Sequence, residues 1–598
     1  MKVRAPREIG WKLILTSVFS TSLLLRIGIM PVVIPGSGHD DELMVSLGKS
    51  IADGNWLGDY GARGHLTLAK PPGFPIFLAA TSALPFNALV WAHLIFLVGS
   101  WLIVRGLGRL GYSRKLQLLA LFVLAFFPPL FGDSLSRIYR ESFLAALVCL
   151  FAGLTLTTVL KVRTAEIHIG NEIVRLASLA GLATVVGFYA ITKPGWFILL
   201  PPLLIVIVMA VKIEFQRTIP TVQSERSRRL QRAVRVLLLA LAVIVPALAP
   251  SFIVRALNDQ KYGVFTQDTF ASGPFVDALN QLVRVEPRPA RPYVLVDAGM
   301  RAQAYEVSPT FAELKPFLER GESEGWNGPS CGNMGICDES AGWFTWDLRD
   351  AVQGAGLGDS AQEFDRTLSK ISQEIKDACE SSKLECGKAG IAPNVLHPTV
   401  WSKRLFVNAV FMGAKYVWNL PAVGSGARPP LGELSPETRD LWEWATKSSS
   451  LDVPYTNYDP SYFNLSSALQ FVADVYLFVW RALLITCGVL AVLRLSDIRK
   501  PGPRLIKRMW AEPRFIAGML SAAFFLGFLL ALLSLIALEV SSGVFLSSGG
   551  TLYLPASFPL ILVAVVMALR GAGQVWRDRS TTESPSDGPT GIGIEVQV

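Results

Sequence analysis

The sequence predicts an all-α polytopic membrane bundle of about ten transmembrane helices, interrupted by an inserted outer α/β domain. Three observations predict it. Of 598 residues, 51% are hydrophobic and 17% charged, against about 25% charged in soluble domains, and mean hydropathy is positive. The apolar residues also come in long blocks, such as Val236 to Val254, Phe515 to Leu538 and Leu554 to Leu569. Each approaches the roughly 20 residues that a helix needs to cross the hydrocarbon. Finally, basic residues collect between blocks. Arg105, Arg109, Arg114 and Lys115 fill one connection, Arg226, Arg228, Arg229, Arg232 and Arg235 a second, and Arg499, Lys500, Arg504, Lys507 and Arg508 a third. That placement is the positive-inside bias, so the formal charge of +9 orients the chain and implies no nucleic-acid partner.

In chain order the spans read as 11–34, 85–104, 116–131, 142–160, 176–191, 196–211, 235–256, 469–493, 514–538 and 554–570. From a cytoplasmic, basic N-terminus (Lys2, Arg4, Arg7), all three basic connections fall on the cytoplasmic side. One missed or invented span would destroy that agreement. The first span runs longer than a signal-peptide core and lacks a small-residue cleavage site, so it reads as retained. The organisation is then a membrane domain of seven spans (1–256) with its first outer loop at 35–84, and an outer soluble domain (257–468). Three more spans (469–570) and a disordered, Ser/Thr/Gly-rich cytoplasmic tail (571–598) follow. This describes a multi-pass protein of the cell membrane whose four outer pieces (Pro35 to Pro85, Gly132 to Glu141, a short turn around Lys193, and Leu257 to about Ala468) face the periplasm or exterior.

Within the outer domain, Phe364, Leu368, Ile371 and Ile375 recur at helical spacing and predict an amphipathic helix. Cys149 and Cys487 lie in spans, whereas Cys331, Cys337, Cys379 and Cys386 all lie in this domain. An oxidising compartment favours disulfides there. Zinc is the rival, although the gaps within each pair exceed the usual two-to-four-residue ligand spacing. Local pairing, Cys331 with Cys337 and Cys379 with Cys386, is one of three connectivities open to four cysteines.

The first outer loop carries the chemistry. In GHDDELMVSLGKSIADGNW, Leu43, Leu47 and Ile51 repeat at helical spacing, which predicts a short helix lying in the membrane interface. Asp40 is placed as its N-cap and Gly54 as its terminator. Asp40, Asp41 and Glu42 then have two readings. Acids favour a helix first turn through its dipole. Alternatively, a carboxylate held rigidly at a helix start is suited to act as a base on an acceptor. Lys70 likewise either snorkels at the start of the next span or meets the charge that grows on a phosphate leaving group.

Asp41-Glu42, Gly54-Asn55-Trp56 and Lys70-Pro71-Pro72, in that order and spacing, resemble the first outer loop of the GT-C glycosyltransferases. The resemblance is to the branch holding the protein O-mannosyltransferases and the lipid A aminoarabinose transferase. It implies that Asp41 is the catalytic base and that Lys70 contacts the carrier phosphate. Val45 stands where members often have Tyr. In SRIYRES, Arg137, Arg140 and Glu141 occupy the place of the family's second acid. Lys193 in ITKPGW and Tyr553 in YLPASFPL are similar to further family features, and all of these also suit interfacial anchoring. The implied partners are a polyprenyl-phosphate sugar donor, membrane lipids, and a glycolipid, polysaccharide or protein acceptor of the envelope. Asp41 and Glu141 could share a divalent metal ion; no other cofactor is expected.

Two other classes remain open. A transporter would place charges near the bilayer midplane, where Arg26 and Arg481 fall, although no acid sits at that depth and no halves repeat. A non-catalytic envelope assembly protein would use the outer domain as its binding module and leave Asp41 and Lys70 without a task.

Overall fold

A computed structural model of the chain describes residues 6–34, 36, 38–163, 169–216, 225–270, 272–286, 293–320, 326, 331, 338, 341–388, 403–423, 434–448, 460–497, 513–542 and 553–569. Helix α1 (Pro6–Gly28) leads into the first loop, which holds α2 (Asp41–Ala52) and α3 (Gly73–Ser82). Next come α4 (Ala88–Arg109), α5 (Arg114–Ala125), α6 (Arg140–Arg163), α7 (Ile169–Ala190), α8 (Leu200–Gln216) and α9 (Glu225–Tyr262). The inserted segment contains α10 (Pro274–Leu282), α11 (Ala298–Val307), α12 (Ala341–Gly354), α13 (Ala361–Glu380), α14 (Lys403–Trp418) and α15 (Pro436–Thr446). The chain closes with α16 (Pro460–Asp497), α17 (Pro513–Ser542) and α18 (Phe558–Leu569).

Seven of these, α4, α6, α7, α8, α9, α16 and α17, are long and apolar enough to cross a membrane. Three further spans were expected. In α1, Lys12, Arg26 and the hydroxyl-rich run Thr16 to Ser22 dilute the apolar character. Helix α5 stops at Ala125 because Pro128 and Pro129, which cannot continue a helix ladder, turn the chain through a short 3-10 segment. Helix α18 is apolar throughout but short. The third basic connection (Arg499 to Arg508) and the tail 571–598 lie outside the described residues.

Close helix contact depends on glycine. A Cβ on Gly99 of α4 would sit 2.5 Å from the backbone of Cys149 in α6, and one on Gly153 would sit 2.6 Å from the Gly99 carbonyl oxygen. Small residues let helix backbones approach where lipid offers no hydrophobic drive. Gly106 meets Leu156 further along, so α4 and α6 run in the same direction. Their N-termini, at Ala88 and Arg140, share one end of the bundle, opposite the connection that carries Arg105 to Lys115.

The inserted segment differs from expectation in class. Among the described residues there is no strand; the β pairing consists of two isolated bridges, Val32 with Arg137 and Val285 with Cys386. The inserted segment is therefore helical where it is described, with no strand to make the expected α/β domain. Its core joins Phe275, Leu279 and Leu282 of α10 to Phe344 and Leu348 of α12 and to Phe364, Leu368, Ile371 and Ile375 of α13. The four residues whose spacing predicted an amphipathic helix are all buried there. Cys379 and Cys386 form a disulfide with Cα atoms 5.5 Å apart. Cys331 is also disulfide-bonded, and Cys337 lies outside the described residues.

Candidate active site

Helix α2 departs from the interfacial helix expected of it. Leu43 and Leu47 are covered by Leu57, Leu68, Tyr262 and Val264, while Met44 and Val45 enter the main core with Phe74 and Leu78. The helix is apolar on two faces and is accordingly buried, so protein rather than lipid takes up its leucines. Gly54, in the left-handed region at φ 83°, ends it as expected. Asp40 occupies the N-cap position, but its side chain makes no capping bond.

That side chain turns instead to Lys70, whose Nζ lies 2.6 Å from Oδ1. The hydroxyl of Tyr139 donates to the same oxygen at 3.3 Å. Asp41 points the other way and is 1% exposed; Arg137 donates to both its carboxylate oxygens, through Nε at 2.6 Å and through Nη2. The second acid, Glu141, is also 1% exposed. Lys193 donates to its Oε1 at 2.9 Å and Arg140 Nε lies 3.5 Å from that atom. Glu42 is half-buried in the first turn of α2.

Separate stretches of chain build this cluster, and each has a physical reason to be there. Arg137 is fixed by a backbone exchange: Val32 N–H donates to Ser136 O at 2.8 Å and Ile138 N–H to Val32 O at 3.0 Å. Arg26 tightens the same crossing. It donates to Leu130 O at 3.0 Å, Ser136 Oγ at 2.7 Å and Ile29 O at 3.3 Å. Since α1 ends at Gly28, Arg26 sits in a last helical turn rather than at mid-span. Lys193 is brought in because Gly73, first residue of α3, donates its N–H to Ile191 O at 2.7 Å. A Cβ there would collide with Ile191 and Thr192. Arg481 in α16 donates to Asn419 at 2.5 Å and lies over the Trp418 ring, which accounts for the second charge placed within a span.

Aromatic rings interleave the cations. Tyr139 lies beneath Arg137 and Arg140, with centroid distances of 4.9 and 5.2 Å. Lys193 stands 4.1 Å over Tyr553 and Lys70 4.8 Å over Trp346. Such cation–π contacts favour the charged form of the base. Burial works against the Asp41 carboxylate and holds its pKa above the ordinary value, although Arg137 opposes this. Burial also opposes ionisation of Asp40, but Lys70, with Arg140 and Arg137 behind it, outweighs that and brings its pKa below the ordinary value. Lys70 and Lys193 are both depressed by burial, partly restored by Asp40 and by Glu141 respectively.

The structure thus brings together Asp40, Asp41, Lys70, Arg137, Arg140, Glu141 and Lys193. Asp41 and Glu141, read in the sequence as carboxylates that could share an ion, are each engaged by a cation. Among the described residues no group of three or more His, Cys, Asp or Glu side chains is placed to hold a metal. Several neighbours escaped the sequence reading. Tyr139 stands between the arginines of SRIYRES. His39, beside Asp40, meets Trp326 and Trp346 edge-on at 4.9 Å each. Asp350 lies 2.9 Å from His65 and accepts from Trp326 at 2.8 Å. The signal that could have found them was weak: Trp346 and Asp350 are spaced i, i+4 and therefore share a helix face.

No protein-family model matches the chain, and no curated protein sequence does. Two solved structures similar to it are of ArnT from Cupriavidus metallidurans. The apo state is 13% identical, spans 98% of this chain and 82% of that one, and has a TM-score of 0.30. The form bound to undecaprenyl phosphate is 13% identical, spans 97% and 82%, and has a TM-score of 0.27.

Proposed function

We propose that this chain is a membrane glycosyltransferase that moves a sugar from a polyprenyl-phosphate carrier to an envelope acceptor at the outer membrane face. One observation carries the reading. Asp40, Asp41 and Lys70 converge with Arg137, Arg140, Glu141 and Lys193 at the end of the bundle away from the basic connection Arg105 to Lys115. Asp41 and Lys70 are among the residues on which the family resemblance rests.

In the proposed reaction an acceptor oxygen attacks the anomeric carbon. The bond from that carbon to the carrier phosphate breaks, and the phosphate leaves with the electron pair. Asp41 takes the proton from the acceptor; a carboxylate whose pKa is raised by burial is better matched to that task near neutral pH than an ordinary one. Lys70, with Arg137, Arg140 and Lys193 nearby, meets the charge that develops on the phosphate. Fixed cations in a site shielded from water stabilise such charge more than mobile ones in solution do. Cations outnumber carboxylates in this cluster, so its charge balance suits an arriving anion.

The transporter reading loses support, since Arg26 sits in the last turn of α1 and Arg481, although it lies within α16, donates to Asn419 of the protein itself. The test is to incubate the purified full-length protein with a polyprenyl-phosphate sugar and an envelope extract. Release of free polyprenyl phosphate together with a new glycosylated product is expected. A donor that stays intact across the common envelope sugars overturns the proposal.

A further inference from the structure

The outer domain reaches into the cluster through α12. Trp346 presents its ring to Lys70, with Nζ 4.8 Å from the centroid. The ring is held by two others, Phe270 at 4.8 Å and His39 at 4.9 Å, both roughly perpendicular to it. One turn along the same helix, Asp350 lies 3.6 Å from His39 and 2.9 Å from His65, both in the first loop. Helix α12 therefore grips the loop at His39 and His65, both N-terminal to Lys70, as well as at Lys70 itself.

We propose that Trp346 is a positioning residue for Lys70, so that the outer domain forms part of the donor site rather than a separate module. This rests on the reading of Lys70 as the cation for the carrier phosphate. A lysine side chain has a flexible four-carbon stem and needs something to aim it. Asp40 aims it in the structure, but Asp40 is an anion and competes with an arriving phosphate for the same ammonium. An indole face attracts the ammonium through its quadrupole without bearing a charge. Trp346 can therefore hold Lys70 both before and after the phosphate arrives, which Asp40 cannot do without repelling the phosphate.

The titrating lysine is faced by Asp40 and Asp41 from the loop and α2, by Arg140 from α6 and by the Trp346 ring from α12. Of these, the ring and the two carboxylates favour the ammonium, while Arg140 and burial oppose it. Removing the ring should lower the pKa of Lys70 further. The probe is sugar-free polyprenyl phosphate, titrated against full-length wild type, Trp346→Phe and Trp346→Leu from neutral to alkaline pH. Trp346→Leu keeps apolar bulk and loses the quadrupole, so binding should weaken by about tenfold and its alkaline loss should move to lower pH. Trp346→Phe keeps a weaker π face and should stay within about threefold of wild type. Equal losses in Phe and Leu with no movement of the alkaline limb mean that only bulk matters and overturn the positioning role. No binding by wild type overturns the phosphate reading of Lys70 itself, and the role of Trp346 with it.

Discussion

Asp41→Asn separates the proposed chemistry of this residue from its ion pairing. Its carboxylate is 1% exposed and engaged twice by Arg137, whose side chain is 19% exposed. Removing one partner of a buried pair costs about 3–5 kcal/mol. In Asp41→Asn the stranded group is Arg137, which keeps some water and the Tyr139 ring, so a loss of about 3 kcal/mol is expected. Arg137→Met strands the fully buried carboxylate and belongs near the upper figure, about 5 kcal/mol. The double variant removes both charges and should recover part of the summed loss, as coupled neighbours do. Turnover should divide differently. Losing a positioned base lowers the rate by about 10²–10⁴, equivalent to about 3–5 kcal/mol of barrier, and so Asp41→Asn should lower kcat. Arg137→Met keeps the carboxyl group but removes the cation that holds its pKa down, so its turnover should recover on alkalinisation, which that of Asp41→Asn cannot do. The assay is carrier-phosphate release per folded molecule for the four proteins, beside their thermal stability in detergent. If Asp41→Asn keeps kcat within about tenfold of wild type, Asp41 is a structural partner of Arg137 and the base assignment is wrong.

Other tests address the remaining contacts. Lys70→Met should weaken donor binding by about 1.5–3 kcal/mol, the worth of a charged hydrogen bond, with Lys70→Arg rescuing only part because its planar fork differs from an ammonium; unchanged affinity in Lys70→Met sinks the phosphate role. The pH profile follows from two shifts. Asp41 must be deprotonated to act and its pKa is raised, so turnover should fall on acidification before an ordinary aspartate protonates. Lys70 must be protonated to bind phosphate and its pKa is lowered, so donor affinity should fall on alkalinisation before an ordinary lysine titrates; limbs at the ordinary positions contradict both. Gly153→Val should force α4 and α6 apart and cost about 1–3 kcal/mol, read as reduced thermal stability, whereas wild-type stability would show that the crossing tolerates a larger residue. Non-reducing peptide mapping should link Cys379 to Cys386 and find Cys331 oxidised; free thiols at these positions in protein from an oxidising compartment contradict the structure.

Local information carried the helices of the bundle a long way. Apolar blocks bounded by basic connections predict membrane helices because length and charge asymmetry are one-dimensional quantities. The spacing of Phe364, Leu368, Ile371 and Ile375 predicted α13 for the same reason, since one helical period records which face must be buried. The strands expected in the outer domain had no comparable pattern behind them. Span ends were equally hard to read: Pro128 and Pro129 stop α5 within a block whose hydropathy alone suggested a longer span.

The candidate residues were legible one by one as acids and cations near membrane borders, but their partners were not. Sequence placed Asp40 as a helix cap; only the fold could turn its side chain toward the distant Lys70 and leave the cap unmade. Neighbouring Asp41 is directed to Arg137 because an exchange between Val32 and residues 136–138 fixes that arginine's backbone. Trp346 and Asp350 reach the first loop from far along the chain; their i, i+4 spacing records a shared helix face, but not what that face meets. Amino-acid type and local periodicity determined which elements form and which groups are ionisable. Long-range packing, which depends on where Gly73, Gly99 and Gly153 allow backbones to touch, decided which charges meet and which of them are shielded from water.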